Sequence, residues 1–212
     1  MVVQGGRDGL GNNFNRQAGD GLPGEEKELV FDLKLIADIG VVGFPNAGKS
    51  TLISAISNAH SEIAAYPFTT KFPVLGVIKS ARRSLVIADI PGLIEGASTG
   101  KGLGITFLKH VERTKVLFHL IAADSQNPLQ DYKTVRQELE LYNPLLLEKP
   151  EHIFLSKSDA VTAEKINDVK REFKKIDKET AEISIINPVS MVSVKKILNT
   201  LIEEKTAQTI DL

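Results

Sequence analysis

Short apolar runs alternate with longer segments of helical periodicity along most of the chain. Residues 85–88 form a continuous apolar run of the length expected for a buried strand, whereas 162–175 carries apolar residues at helical spacing. We predict strands near 29–36, 39–43, 74–79, 84–89, 115–121, 152–156 and 182–187, and helices near 50–58, 104–113, 130–142, 162–175 and 193–204.

This alternation predicts an α/β protein in which helices cover both faces of a mainly parallel sheet, so that ligands bind at the C-terminal ends of the strands. The first 24 residues do not share the pattern, because they contain seven glycines and few large apolar side chains. That composition is typical of a flexible tail. We therefore predict a separate segment at 1–24 and one folded domain at 25–212.

Composition narrows the class of protein. With 212 residues, 42% apolar content and a net charge of −1, the chain can form one good-sized core and has no overall charge that favours nucleic acid or anionic membranes. It contains no cysteine, which excludes disulfides and Cys-ligated metals. No apolar run approaches the ~18 residues of a membrane span. We expect a soluble, cytoplasmic protein.

The clearest motif is Gly43-Phe44-Pro45-Asn46-Ala47-Gly48-Lys49-Ser50-Thr51, which matches G-x-x-x-x-G-K-[ST] at every required position. It follows a predicted strand and opens a predicted helix, which is the setting of a phosphate-binding P-loop. We expect backbone N–H groups of this loop to bind phosphates, Lys49 to reach the β and γ oxygens, and the Ser50 hydroxyl to bind Mg²⁺. The fold class is then that of a P-loop NTPase.

Two further loops fit phosphoryl transfer. Asp89 ends the predicted strand 84–89 and precedes Ile90-Pro91-Gly92, so that its carboxylate is a candidate Mg²⁺ ligand and Gly92 can offer a backbone N–H to the γ-phosphate. Thr70, in Tyr66-Pro67-Phe68-Thr69-Thr70, is a candidate second Mg²⁺ ligand that joins the metal only when the γ-phosphate is present. The metal set predicted is Ser50, Thr70 and Asp89.

These motifs, together with Asp89-Ile90-Pro91-Gly92-Leu93-Ile94-Glu95-Gly96 and Phe107-Leu108-Lys109-His110-Val111-Glu112-Arg113, resemble the Obg family of translational GTPases. The glycine-rich start, with Gly5-Gly6-Arg7-Asp8-Gly9-Leu10-Gly11-Asn12, is similar to the last part of that family's N-terminal domain. The resemblance implies that residues 1–24 are a remnant of this domain and that 25–212 form an Obg-type G domain. The family's variable C-terminal extension is expected to be absent.

The resemblance implies slow hydrolysis of GTP to GDP by a molecular switch that binds the large ribosomal subunit, with its rRNA, during assembly, and that acts in stress responses. It also implies that Asn46 binds a K⁺ ion. The predicted catalytic residues are Asn46, Lys49, Thr70 and Gly92. Leu93 stands where many small GTPases carry a water-positioning glutamine, which is consistent with a slow rate. We expect a monomer.

The guanine-binding motif N-K-x-D of the family reads Ser156-Lys157-Ser158-Asp159 in this chain. Asp159 can accept hydrogen bonds from two nitrogens of guanine, and Lys157 can lay its stem over the base. Ser156 lacks an amide, so we expect weaker contacts between this loop and the P-loop. Ala122 stands where the resemblance leads us to expect an aspartate.

The last base-binding loop of the family falls at Asn187-Pro188 in an ungapped comparison, and at Ser190-Met191 only with a gap; we favour Asn187 and Pro188. The altered base loops and Leu93 leave a second hypothesis open, that of a guanine-nucleotide-binding, ribosome-associated module with little or no hydrolysis. An ATPase is a third hypothesis, and Asp159 argues against it.

Overall fold

We describe a computed structural model of the chain at residues 20, 22–27, 37–57, 62–63, 74–80, 84–89 and 114–207. The chain divides into two compact units, Met1–Leu33 and Lys34–Leu212. In the first unit the described residues have no regular secondary structure. The predicted strand at 29–36 and the predicted helix at 104–113 lie outside the described residues.

The described part of the second unit contains a seven-stranded sheet. Its strands are β1 (Ile39–Val42), β2 (Glu62–Ile63), β3 (Val74–Lys79), β4 (Ser84–Asp89), β5 (Val116–Ala122), β6 (Glu151–Ser156) and β7 (Thr180–Glu182). They lie in the order β2-β3-β4-β1-β5-β6-β7. β4, β1, β5, β6 and β7 pair in parallel, and β2-β3 and β3-β4 are antiparallel.

The helices among these residues are α1 (Lys49–Ile56), α2 (Pro128–Tyr142), α3 (Ala163–Lys174) and α4 (Val192–Ala207). Short 3₁₀ turns cover Pro144–Glu148 and Ser158–Ala160. None of the helices in the described ranges is long and apolar enough to cross a membrane. The predicted helices at 50–58, 130–142, 162–175 and 193–204 all form, and each end lies within three residues of its predicted position.

The strand β5 shows why helices cover both faces of the sheet. Its residues are nearly all buried, and alternate side chains enter different clusters: Phe118 packs with residues of α1 and α4, while Leu117 packs with Val135 and Leu139 of α2. Because side chains alternate across a strand, a strand that is apolar at successive positions needs cover on both sides. The result is the predicted three-layer α/β fold with a mainly parallel sheet.

Polar side chains fix where two of the helices begin. Asn127 Oδ1 accepts a hydrogen bond from Gln130 N at 3.0 Å, and Pro128 occupies the first helical position of α2. Thr162 Oγ1 accepts one from Lys165 N at 3.3 Å at the start of α3. Such caps satisfy N–H groups that have no partner within the helix, and proline is tolerated there because it lacks an N–H.

The predicted strand at 182–187 was wrong. The last strand, β7, ends at Glu182. Ile183 N still donates to Leu155 O of β6 at 2.8 Å, and the chain then turns, with Ser184 N donating to Ser190 Oγ at 2.8 Å. The run of isoleucines at 183, 185 and 186 has strand-like composition. The two-residue strand β2 was not predicted, because it is too short to carry a pattern.

Asp38, directly before β1, is a buried carboxylate in the sheet. Its Oδ2 accepts from Val86 N at 2.9 Å and from Lys205 Nζ at 2.8 Å, so that the end of α4 is joined to the start of β1. Lys205 Nζ also donates to Ser84 O at 3.0 Å on β4. Oδ1 of Asp38 is buried without a partner among the described residues. A buried charge depends on its cationic partner, which is Lys205 here.

A second polar cluster lies between β5, β6 and α2. His119 is fully buried, and its Nδ1 lies 2.9 Å from Glu151 Oε1; Tyr132 and Arg136 donate hydrogen bonds to the other oxygen of Glu151. Burial lowers the pKa of His119, and the hydrogen bond to Glu151 opposes that shift only in part. A neutral ring with its proton on Nδ1 can donate to Glu151.

We expect the stability of the fold to decrease as the pH falls below ~6.5, the ordinary pKa of histidine. Because the folded-state pKa of His119 is lowered, the unfolded chain binds a proton in this range that the folded chain does not, at a cost of at most about 1.4 kcal/mol per pH unit. Urea unfolding at pH 7.5, 6 and 5 should show a smaller pH dependence for His119→Gln than for the parent. Equal slopes in the two proteins would contradict the prediction.

Candidate functional site

The connection from β1 to α1 begins with a close approach of two backbones. Gly43 has φ +145°, and a Cβ at this position would lie 2.2 Å from the carbonyl oxygen of Leu120 in β5. Such a distance is far below a van der Waals contact, and this φ is unfavourable for any residue with a side chain. Glycine is therefore required where the loop leaves the sheet.

The rest of the loop is a tight turn. Asn46 and Gly48 have positive φ values of 62° and 88°, and Ala47 N donates to Phe44 O at 3.2 Å. Gly48 is the N-cap residue of α1 and provides no side-chain cap. The N–H groups of the first helical turn, together with the positive end of the helix dipole, can therefore serve an anion.

Lys49 lies over this loop. Its Nζ donates to the carbonyl oxygens of Gly43 and Phe44, each at 3.1 Å. Burial lowers the pKa of the Lys49 ammonium, and the charge of Asp89 opposes this shift. A partly desolvated cation beside uncapped N–H groups gives the loop an affinity for phosphate oxygens.

The hydroxyl of Ser50 and the carboxylate of Asp89 meet at the same end of the sheet. Ser50 Oγ donates to Asp89 Oδ2 at 2.6 Å, and β4 and β1 are in register at Val41 and Asp89. Oδ1 of Asp89 is buried without a partner among the described residues, and burial raises the pKa of this carboxyl, opposed by Ser50 and Lys49. A buried oxygen pair with one free acceptor fits a hard cation such as Mg²⁺.

The guanine motif predicted from the sequence lies across a cleft from the P-loop. The cleft has a volume of about 470 Å³ and is lined by Asn46, Gly48, Lys49, Ser50, Thr51, Leu52, Leu120, Ser156, Lys157, Asp159, Ile183, Ile185 and Ile186. Asp159 is exposed on the 3₁₀ turn Ser158–Ala160. The P-loop residues Gly43, Phe44, Pro45 and Ala47 are not in the lining: Phe44 and Pro45 face an adjoining groove, and Gly43 acts through its backbone.

Ser156 joins the two sides of the cleft. It is buried at the end of β6, and its Oγ lies 2.7 Å from the carbonyl oxygen of Ala47 in the P-loop, within donating distance. The sequence led us to expect weaker contacts here than an asparagine would make. One direct hydrogen bond between the base loop and the P-loop is nevertheless present.

The structure does not bring Asn187 and Pro188 to the cleft. The lining residues after β7 are Ile183, Ile185 and Ile186, while Asn187 Oδ1 accepts from Val189 N at 3.1 Å in the following turn. The isoleucines that follow β7 occupy the position at the cleft that was predicted for Asn187 and Pro188. The alternative at Ser190-Met191 is also outside the lining, since Ser190 Oγ bonds to Ser184 and Met191 is buried in the core.

Sequence reasoning missed Asp124. Its carboxylate lies in the turn after β5, with Oδ2 3.0 Å and Oδ1 3.3 Å from Lys157 Nζ. Position 122, where an aspartate was expected, is an alanine, and the carboxylate of Asp124 two residues later contacts Lys157 of the guanine motif. The signal available in the sequence was the acid itself, close to the end of a predicted strand. Thr70 and Gly92, the remaining predicted site residues, lie outside the described residues.

The arrangement of strand, glycine loop and helix beside a hydroxyl and a carboxylate defines a P-loop nucleotide-binding fold. A family model described as "50S ribosome-binding GTPase" matches residues 38–157. The chain belongs to this family of GTPases, and the resemblance to Obg is confirmed by its relatives. The family implies dependence on Mg²⁺, which the Ser50 and Asp89 oxygens fit.

Two of these relatives are proteins named GTPase Obg. One, from Anaeromyxobacter sp., is 48% identical over 202 residues, which cover 90% of this chain and 57% of the relative. Another, from Coprothermobacter proteolyticus, is 51% identical over 191 residues, or 85% of this chain and 45% of the relative. The chain thus spans about half the length of the curated relatives it matches.

Solved structures support the fold alone. The cytosolic domain of FeoB from L. pneumophila matches with a TM-score of 0.59 at 20% identity, covering 77% of this chain and 62% of that one. Identity this low carries no information about substrate, but the match confirms the P-loop GTPase architecture.

We expect Asp89→Asn to stabilise the nucleotide-free protein and to weaken binding of Mg²⁺. The raised pKa of Asp89 means that its charge is unfavourable in the folded protein, and an amide removes that charge while keeping a partner for Ser50. Loss of an outer ligand typically costs about 10- to 100-fold in metal affinity. Urea unfolding without nucleotide, and GDP titrations with Mg²⁺ or EDTA, measure the two effects.

The matched control is Asp168→Asn, because Asp168 is an exposed carboxylate paired with Arg171 on α3. This variant should change neither quantity. An Asp89→Asn protein that is less stable than the parent and keeps its Mg²⁺ dependence would show that the carboxylate has a structural role only.

Proposed function

We propose that the chain binds GTP and GDP in the 470 Å³ cleft and hydrolyses GTP as a molecular switch. The observation that carries this proposal is the presence of phosphate and base elements on one cleft. Lys49 and the first turn of α1 lie at one end, and Lys157 and Asp159 lie at the other. The membership of the family supports the same activity.

At the base end, Asp159 would accept hydrogen bonds from the two guanine nitrogens, while the stem of Lys157 covers the ring. Ile183, Ile185 and Ile186 provide an apolar wall. Adenine offers no matching pair of donors, so a carboxylate desolvated against it would remain unpaired. Residues 183–186 take the place of Asn187 and Pro188 as the proposed second base loop.

At the phosphate end, Ser50 and Asp89 would hold Mg²⁺, joined by Thr70 when GTP is bound. The ion would supply positive charge against the β and γ oxygens. Asn46, which lines the cleft with φ +62°, is the proposed ligand for K⁺ on the basis of the family resemblance. Gly92 would contribute a backbone N–H at the γ-phosphate.

We further propose that the switch acts in assembly of the large ribosomal subunit and in stress responses, as a cytoplasmic monomer. The support is the description of the matched family as 50S ribosome-binding. We propose that residues 1–24 belong to a glycine-rich domain and that 25–212 form the G domain. The alternative is a guanine-nucleotide-binding module with little hydrolysis, favoured by Leu93 in place of a glutamine.

The first test is release of phosphate from GTP in KCl and in NaCl, with and without large ribosomal subunits. We expect faster release in KCl, and we expect Asn46→Ala to remove most of the difference; an arginine that supplies comparable charge elsewhere contributes about 10³ to 10⁵ in rate. Tight GTP binding with no release under any condition would favour the non-hydrolysing alternative. Equal rates in both salts would exclude K⁺ from the mechanism.

The second test concerns the base. Asp159→Asn replaces one acceptor by an amide donor, so the variant should lose affinity for GTP and gain affinity for xanthosine triphosphate, which carries a carbonyl in place of the guanine amino group. Sites built around such hydrogen bonds discriminate by about 10⁴ or more. Competition titrations with GTP, ATP and xanthosine triphosphate give the result. A variant that keeps the GTP preference of the parent would show that the base is recognised elsewhere.

A further inference from the structure

The side chain of Lys157 lies between two cavities. On one side is the proposed nucleotide cleft, and on the other is a groove of about 560 Å³ whose lining includes Phe44, Pro45, Ala122, Asp124 and Gln130. Lys157 lines both cavities. The conformation of the Lys157 side chain therefore sets the position of this part of the cleft wall.

The contact that sets this conformation is the ion pair with Asp124. Lys157 Nζ lies 3.0 Å from one oxygen of Asp124 and 3.3 Å from the other, on the groove side. The backbone of Lys157 has φ +54°, a left-handed conformation that is uncommon outside glycine and often found at functional sites. Because the backbone and the ammonium of Lys157 are both held, the position of its four-carbon stem is restricted.

Asp124 is itself held in place by its neighbours along the turn. Ala123 N donates to Ser156 O at 2.9 Å, which joins the turn to the end of β6. On the other side, Ser125 Oγ donates to Asp131 Oδ2 at 2.6 Å, and Lys165 Nζ donates to Ser125 O at 3.1 Å. The carboxylate thus projects from a turn that is bonded to β6, α2 and α3.

We propose that Asp124 is a positioning residue for guanine-nucleotide binding, which holds the stem of Lys157 against the plane of the base. The inference rests on the proposed function of the cleft. The side chains of Asp124 and Lys157 are 40% and 39% exposed, so the ion pair contributes little to folding stability. Its effect is instead to order a flexible side chain before the nucleotide arrives, which lowers the entropy lost on binding.

The experiment is the dissociation rate of fluorescently labelled GDP from the parent, Asp124→Asn, Lys157→Met and the double variant. Methionine keeps an apolar stem and removes the ammonium. We expect Asp124→Asn to release GDP about 3- to 10-fold faster, as for the loss of order in one flexible side chain, with an unchanged melting temperature. In the Lys157→Met background the same substitution should have no further effect.

Two controls separate this role from a general loss of charge. Asp168→Asn removes an exposed ion pair within α3, with Arg171 at 2.8 Å, and should release GDP at the parental rate. The effect of Asp124→Asn should also shrink at about 1 M salt, where exposed pairs are screened. A parental rate in Asp124→Asn, or an equal increase in the Lys157→Met background, would overturn the proposal. A parent that binds no GDP would instead refute the proposed function.

Discussion

The close approach of Gly43 to Leu120 is the constraint on which the site depends. Because a Cβ at Gly43 would lie 2.2 Å from a backbone oxygen of β5, the phosphate loop leaves β1 pressed against the neighbouring strand. The loop then turns through Asn46 and Gly48 into α1. This path puts Ala47 within hydrogen-bond distance of Ser156 and sets Ser50 beside Asp89. The positions of both ends of the cleft are therefore set by contacts with the central strands of the sheet.

The site also carries charges that are incompletely compensated. Burial disfavours the charged forms of both Lys49 and Asp89, and each partly stabilises the other. Asp89 has an oxygen without a partner among the described residues, and the first turn of α1 has no side-chain cap. Such features lower stability and are retained at binding sites, where a charged ligand compensates for them.

Much of the fold and of the candidate site could be predicted from the sequence. The P-loop and Asp89 were recognisable because their chemistry is local: a glycine loop between strand and helix, and an acid at the end of an apolar run. The strands 74–79 and 84–89 were predicted with their observed bounds for the same reason. In each case residues that are neighbours along the chain are enough to identify the feature.

What could not be predicted depends on contacts that no local pattern of residues shows. The isoleucines at 183, 185 and 186 were taken for a strand, although the chain turns after Ile183, where Ser184 N donates to Ser190 Oγ. The pairing of Asp124 with Lys157 joins residues that are 33 apart in sequence. His119 was overlooked because a histidine within an apolar strand gives no sign of Glu151, which lies on the next strand. The pairing of β5 with β6 in the sheet brings the last two pairs of residues together.

The contact between Lys205 and Asp38 joins segments 167 residues apart. Fraying of the last turn of α4 would break this ion pair directly before β1, the strand that leads into the P-loop. The last turn of α4 should therefore exchange its amide hydrogens more slowly than a frayed helix end usually does, because its opening also breaks an ion pair to the sheet. The end of the last described helix is thus anchored to the strand that leads into the P-loop.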